Sequence, residues 1–108
     1  MENLINDYFP LLRSVNIEVK RLDGNYFMTV KKKLLRNQFV LNIDKSSFDL
    51  PPTAMIGCLL RELCRIEYYL KHQFFWTHNH NKKTIEGMIE NKNLEKYLQN
   101  FSKFSKKY

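Results

Sequence analysis

The chain has 108 residues, 44% of them apolar and 14% aromatic. That length supports one hydrophobic core but not two, and that composition excludes a disordered chain, so residues 1–108 read as a single domain. Lys and Arg number 18 against 11 Asp and Glu, a formal charge of +7, which favours anionic partners: an acidic protein or peptide, nucleic acid, or a charged membrane surface.

Leu4, Ile5, Tyr8, Phe9, Leu11 and Leu12 recur at three- and four-residue spacing. A short amphipathic helix over 3–14 is expected, with Asn3 as N-cap and Pro10 limiting its extent. Ile17 and Val19 alternate with polar residues as in a half-buried strand over 16–22. Asp23-Gly24 suits a two-residue turn in which both positions need positive φ, so 26–30 is expected to return against 16–22 as a β-hairpin. Lys31, Lys32, Lys33 and Arg36 make a basic connection. Residues 38–43 are rich in β-formers and read as a third strand.

A loop with Ser46 and Ser47 leads to Pro51-Pro52, and proline fits a helix start because its missing N–H would be unpaired there anyway. The longest helix is expected over 52–71. Ile56, Leu59, Leu60, Leu63, Ile66 and Leu70 form its apolar stripe, while Ala54, Gly57 and Cys58 keep one flank thin. Phe74-Phe75-Trp76 lies in the connection onward. Residues 81–91 read as a further helix with Ile85, Met88 and Ile89 on one side. Leu94, Tyr97, Leu98, Phe101 and Phe104 carry a helical stripe into a basic aromatic tail at 99–108. One helix, a three-stranded sheet with a hairpin, then helices make an α+β domain.

Cys58 and Cys64 sit six residues apart in one helix, too far for a disulfide, and read as buried thiols in a reducing compartment. The first residues lack the basic and apolar regions of a secretory signal, and no apolar run approaches a membrane span of roughly 20 residues. A cytoplasmic location without membrane partners is the expectation. His72, His78 and His80 lack a companion cysteine or carboxylate and read as surface or loop residues.

Arg61-Glu62-Leu63-Cys64-Arg65 carries the most chemistry. In an H-E-x-x-H helix two neutral imidazoles one turn apart hold zinc and the glutamate is the general base. Here Glu62 keeps the base position, and both ligand positions are arginine, whose fixed charge repels a cation. The plainer reading is a salt-bridged helix in which Glu62 and Arg65 pair at three-residue spacing.

The order of strand, loop, paired prolines, small-residue helix and -Glu-Leu-Cys- with basic flanks resembles the small zincin metallopeptidases, over about 15–98 and most strongly over 38–70. The minimal gluzincin branch has a further helix with the pattern E-R-x-T-D-x-x-x-I-x-R-G. In that frame Thr84 and Ile89 fit, while Asn81 and Ile85 stand where the ligand Glu and the Asp would be. The SprT-like branch has a third histidine shortly before Phe-Trp, which sets His72 near Phe75-Trp76 but one residue out of frame. Length and the final helices favour the gluzincin branch.

That resemblance implies a degenerate metal site at Arg61, Arg65 and Asn81, a vestigial Glu62, no zinc cofactor and no peptidase activity, since a glutamate without its metal loses the main source of rate. It implies a cleft edge along the strand bearing Phe39, Val40 and Leu41, and a tail that can fold over the cleft. The expected role is a pseudopeptidase that binds a peptide or acidic protein, with Arg61, Arg65, Lys31, Lys32, Lys33 and Arg36 as anion-binding groups. The alternative is a small nucleic-acid-binding protein using the lysine run, with Phe74, Phe75 and Trp76 as a stacking platform.

Overall fold

The computed structural model describes residues 2–22, 28–34, 38–72 and 82–98. The elements are helix α1 (Glu2–Tyr8), a 3₁₀ turn (Pro10–Ser14), strands β1 (Asn16–Leu22), β2 (Met28–Lys32) and β3 (Gln38–Asp44), a second 3₁₀ turn (Lys45–Asp49), and helices α2 (Pro52–His72) and α3 (Lys82–Asn91). Residues 96–98 are again helical. The α+β reading holds.

The N-terminal helix is cut in two at Phe9. Phe9 N–H still donates to Ile5 at 2.9 Å, but Pro10 has no N–H and starts a tighter turn, closed by Leu12 N–H to Phe9 at 3.0 Å. Phe9 and Leu12 are thereby both turned into the core.

The strands order β1-β3-β2, which corrects the expected pairing. β1 lies parallel to β3, with Ile17 beside Phe39 and Val19 beside Leu41. β2 lies antiparallel to β3, with Val30 beside Leu41, and Lys33 N–H extends the pair to the Gln38 carbonyl at 2.9 Å. The hairpin therefore joins β2 to β3 rather than β1 to β2; Asp23-Gly24 lies outside the described residues. Burial explains the order. Phe39, Val40 and Leu41 are consecutive and all buried, so β3 needs cover on both faces and takes the centre. β1 and β2 carry exposed lysines, and charged strands suit edges.

Helix α2 crosses one face of the sheet. Met55 N–H reaches the Pro51 carbonyl at 3.0 Å, and Pro52 takes the first helical position as expected. Its stripe residues Leu60, Leu63 and Ile66 join Met28, Val30, Phe39 and Leu41 in the core. Burial extends round to Ala54, Cys58, Arg61, Glu62, Cys64 and Glu67, because Phe9, Leu12, Ile85 and Ile89 join the same core from the junction after α1, the turn that follows it and α3. A helix covered on more than one side must place polar residues inside, and those residues make the site below.

Helix α3 closes in a Schellman motif. Asn93 adopts a left-handed φ of 62°, Leu94 N–H reaches the Ile89 carbonyl at 3.2 Å and Asn93 N–H the Glu90 carbonyl at 2.9 Å. Leu94 and Ile89 are both buried, giving the apolar contact that accompanies the motif. No helix among the described residues is long and apolar enough to cross a membrane.

Candidate functional site

Arg61, Glu62 and Arg65 occupy the middle of α2, where the helix is covered by its neighbours. Arg61 Nη2 donates to Glu86 Oε1 of α3 at 3.0 Å. Arg65 Nη1 donates to Glu62 Oε1 one turn back along α2. Both guanidiniums thus have an internal carboxylate, one from the next helix and one from their own. Burial of the Arg65–Glu62 pair removes most of the solvent screening that makes surface ion pairs weak, while the Arg61–Glu86 pair stays half-buried through Glu86.

Glu62 is only 2% exposed. Burial pushes its carboxyl above the ordinary value of 4.5, while the charge and hydrogen bond of Arg65, the Val30 amide and the charge of Arg61 pull the other way. The Val30 amide favours the charged form without completing a well-formed bond to Oε2, which is buried with no hydrogen-bond partner among the described residues. The carboxylate is accordingly held between β2 and α2.

A second charge cluster lies one and a half turns further on. Lys92, in the turn that ends α3, donates to Glu67 Oε2 at 3.0 Å and to the Tyr8 carbonyl at 2.6 Å. Its Nζ also sits 4.5 Å from the Phe9 ring centroid. Glu67 is buried, and Lys71 approaches it at 3.8 Å. The Arg61–Glu86 and Glu67–Lys92 pairs share one sequence separation, 25 residues, so α2 and α3 advance in the same direction.

Cys58 and Cys64 are free and buried. Burial, helped by the charge of Glu67, pushes the Cys64 thiol up to about 12, so it stays protonated and is not a nucleophile.

The other expected site residues are dispersed. Lys31 is exposed. Lys32 Nζ lies 5.6 Å from the Tyr69 ring centroid and donates to the Lys33 carbonyl at 3.0 Å. Lys33 pairs with Glu18 at 3.0 Å. Arg36, Asn81, His78, His80, Phe74, Phe75, Trp76 and the tail lie outside the described residues. Phe39, Val40 and Leu41 cannot form a cleft edge, because β3 is hydrogen-bonded on both sides and these side chains are buried. The edge strand that approaches Glu62 is β2.

Sequence reasoning missed Glu86, Glu67 and Lys92. Their partners are distant in sequence, and no local spacing marks them. The available signal was indirect: a buried arginine demands a buried or half-buried acid from a neighbouring element. No family model, curated protein or solved structure matches the chain.

Proposed function

We propose that the chain is a catalytically inactive zincin-like protein whose role is to bind an acidic peptide or protein. The observation that carries this reading is the Arg61–Glu86 contact, set beside Glu62–Arg65. In the gluzincin-like frame a carboxylate from the following helix meets the two ligand positions of the H-E-x-x-H helix. Glu86 stands opposite the first of those positions, and the guanidiniums supply the positive charge that a metal would bring. Glu62, buried and paired with Arg65, is closed off from a substrate.

The same contacts move the binding role outward. Arg61 and Arg65 already have protein carboxylates, and Lys33 is paired with Glu18, so the expected anion-binding group that stands exposed for an acidic partner is Lys31 on β2. Salt-sensitive binding is expected of such a surface.

Arg61→His with Arg65→His tests the frame. The folded double variant should take up one equivalent of zinc, measured by metal analysis after dialysis, and lose it on adding Glu86→Gln. A folded double variant without zinc, or stoichiometric zinc and peptide cleavage in the native chain, would sink the reading. Binding of random single or duplex strands with a steep salt dependence would transfer the role to nucleic acid.

A further inference from the structure

A recess of about 390 Å³ lies between the N-terminal half of α2 and the sheet, lined by Val19, Leu41 and Ile43 on one side and Pro52, Ile56 and Leu59 on the other. Its lining is apolar almost throughout, and its volume falls within the range of roughly 300–1,000 Å³ typical of ligand pockets. Exposure along one row of the sheet is graded: Val19 on β1 is 49% exposed, Leu41 on β3 2% and Val30 on β2 0%. The recess therefore opens on the β1 side.

That side is also an unpaired sheet edge. β1 bonds to β3 through one side only, and no strand adds to its outer side among the described residues. Edges are ordinarily guarded by charge, and Glu18 and Lys20 fit that pattern. A half-exposed valine between them, at the mouth of an apolar recess, does not. Lys20 lies only loosely against Glu18, at 3.9 Å. Arg21 has no carboxylate partner among the described residues; its guanidinium lies 5.0 Å from the ring centroid of Phe48, itself 48% exposed. Arg21 and Val19 are two apart on one strand, so they share the face that carries the recess.

We propose that an extended acidic peptide adds to β1 as a fourth strand, placing one apolar side chain in the recess. Its backbone takes up the outer donors and acceptors of β1, which no strand among the described residues uses, and alternate side chains point toward α2. The apolar anchor lies against Val19, Ile56 and Leu59. An acidic residue two positions along, on the same face, meets Arg21, and an acidic neighbour on the opposite face meets Lys20. The charge of +7 selects such a peptide over a second copy of this chain, which would bring the same excess to the contact. This surface is separate from the Arg61–Glu86 cluster and stands whether or not the frame is that of a peptidase.

The test is a titration of the full chain, followed by amide spectra and hydrogen exchange, with a capped peptide whose centre is Leu-Asp-Asp flanked by threonines, so that one Asp shares the face of the Leu and the other lies opposite. Shifts and slowed exchange should concentrate in residues 16–22. Val19→Glu and Arg21→Glu should each weaken binding by about tenfold or more, and both sites are exposed enough for the variants to fold. A copy methylated on its backbone nitrogens, and one with Lys for Asp, should not bind. Absence of binding at low salt, binding indifferent to both variants, shifts confined to β2, or self-association through β1 would each overturn the proposal. None of these outcomes bears on zinc uptake by the histidine variant, so the two readings fail separately.

Discussion

At Glu62 two opposing demands meet in one side chain. Burial favours its neutral form, yet Arg65 needs an anion, and a buried pair of this kind contributes little net stability while costing much to break. Glu62→Ala is therefore expected to destabilise the fold by about 3 kcal/mol in urea unfolding, because it leaves Arg65 without a counter-charge. Glu62→Gln keeps an acceptor for Arg65 and should cost clearly less. The pH dependence has a definite sign. Because the folded value is raised, the proton on Glu62 stabilises the native state below the ordinary value of 4.5, and that contribution is lost as pH rises through the folded value. The stability of Glu62→Gln relative to the native chain should thus improve from pH 4.5 upward; a constant difference across that range would mean that burial does not dominate.

At the scale of elements, Lys92 ties three of them together. It bonds the last carbonyl of α1, neutralises Glu67 of α2 and belongs to the turn that ends α3. Removing it in Lys92→Ala strips the buried Glu67 carboxylate and the exposed Tyr8 carbonyl of their donor. A loss of about 2 kcal/mol is expected, with faster amide exchange in α1 ahead of the sheet. Uniform loss across all elements would deny it the clamping role. Gly87 offers the opposite case. It lies inside α3 with ordinary φ, and a Cβ there meets nothing within 4 Å. Gly87→Ala should raise stability by roughly 0.5–1 kcal/mol in the same measurement, through the backbone entropy of the unfolded chain. The helices were legible in the sequence because their signals are local: the 3–4 spacing of Leu59, Leu63 and Ile66, and Pro52 at the first turn. The left-handed stop at Asn93 had a weaker mark, an Asn ahead of an apolar Leu94. Sheet pairing was not legible. Asp23-Gly24 predicts a turn, but nothing in a dipeptide says which strand will lie beside which. Three consecutive apolar residues at Phe39–Leu41 were the better guide, since only a central strand can bury both faces.

Over the whole molecule, charge divides into two populations. Arg61, Arg65 and Lys92 are matched by Glu86, Glu62 and Glu67 in buried or half-buried pairs that add nothing to the excess of +7, while Lys20, Arg21, Lys31 and Lys45 are exposed. The candidate site was half legible for this reason. The unusual status of Arg61-Glu62-Leu63-Cys64-Arg65 was visible from residue types and spacing. That its arginines face inward was not, because it depends on α3 lying alongside α2 and on Glu86 arriving from 25 residues away. The order β1-β3-β2 has a further consequence in time. The strand that holds the sheet together is the last of the three to be made on the ribosome. The β2–β3 hairpin closes a short loop and is able to form at once, whereas β1, made first, must wait for β3 before it has a neighbour, and then dock across a longer loop. Until then β1 is a strand with both sides open, so the nascent chain is most exposed to wrong partners at the segment whose outer side takes no strand among the described residues of the finished protein.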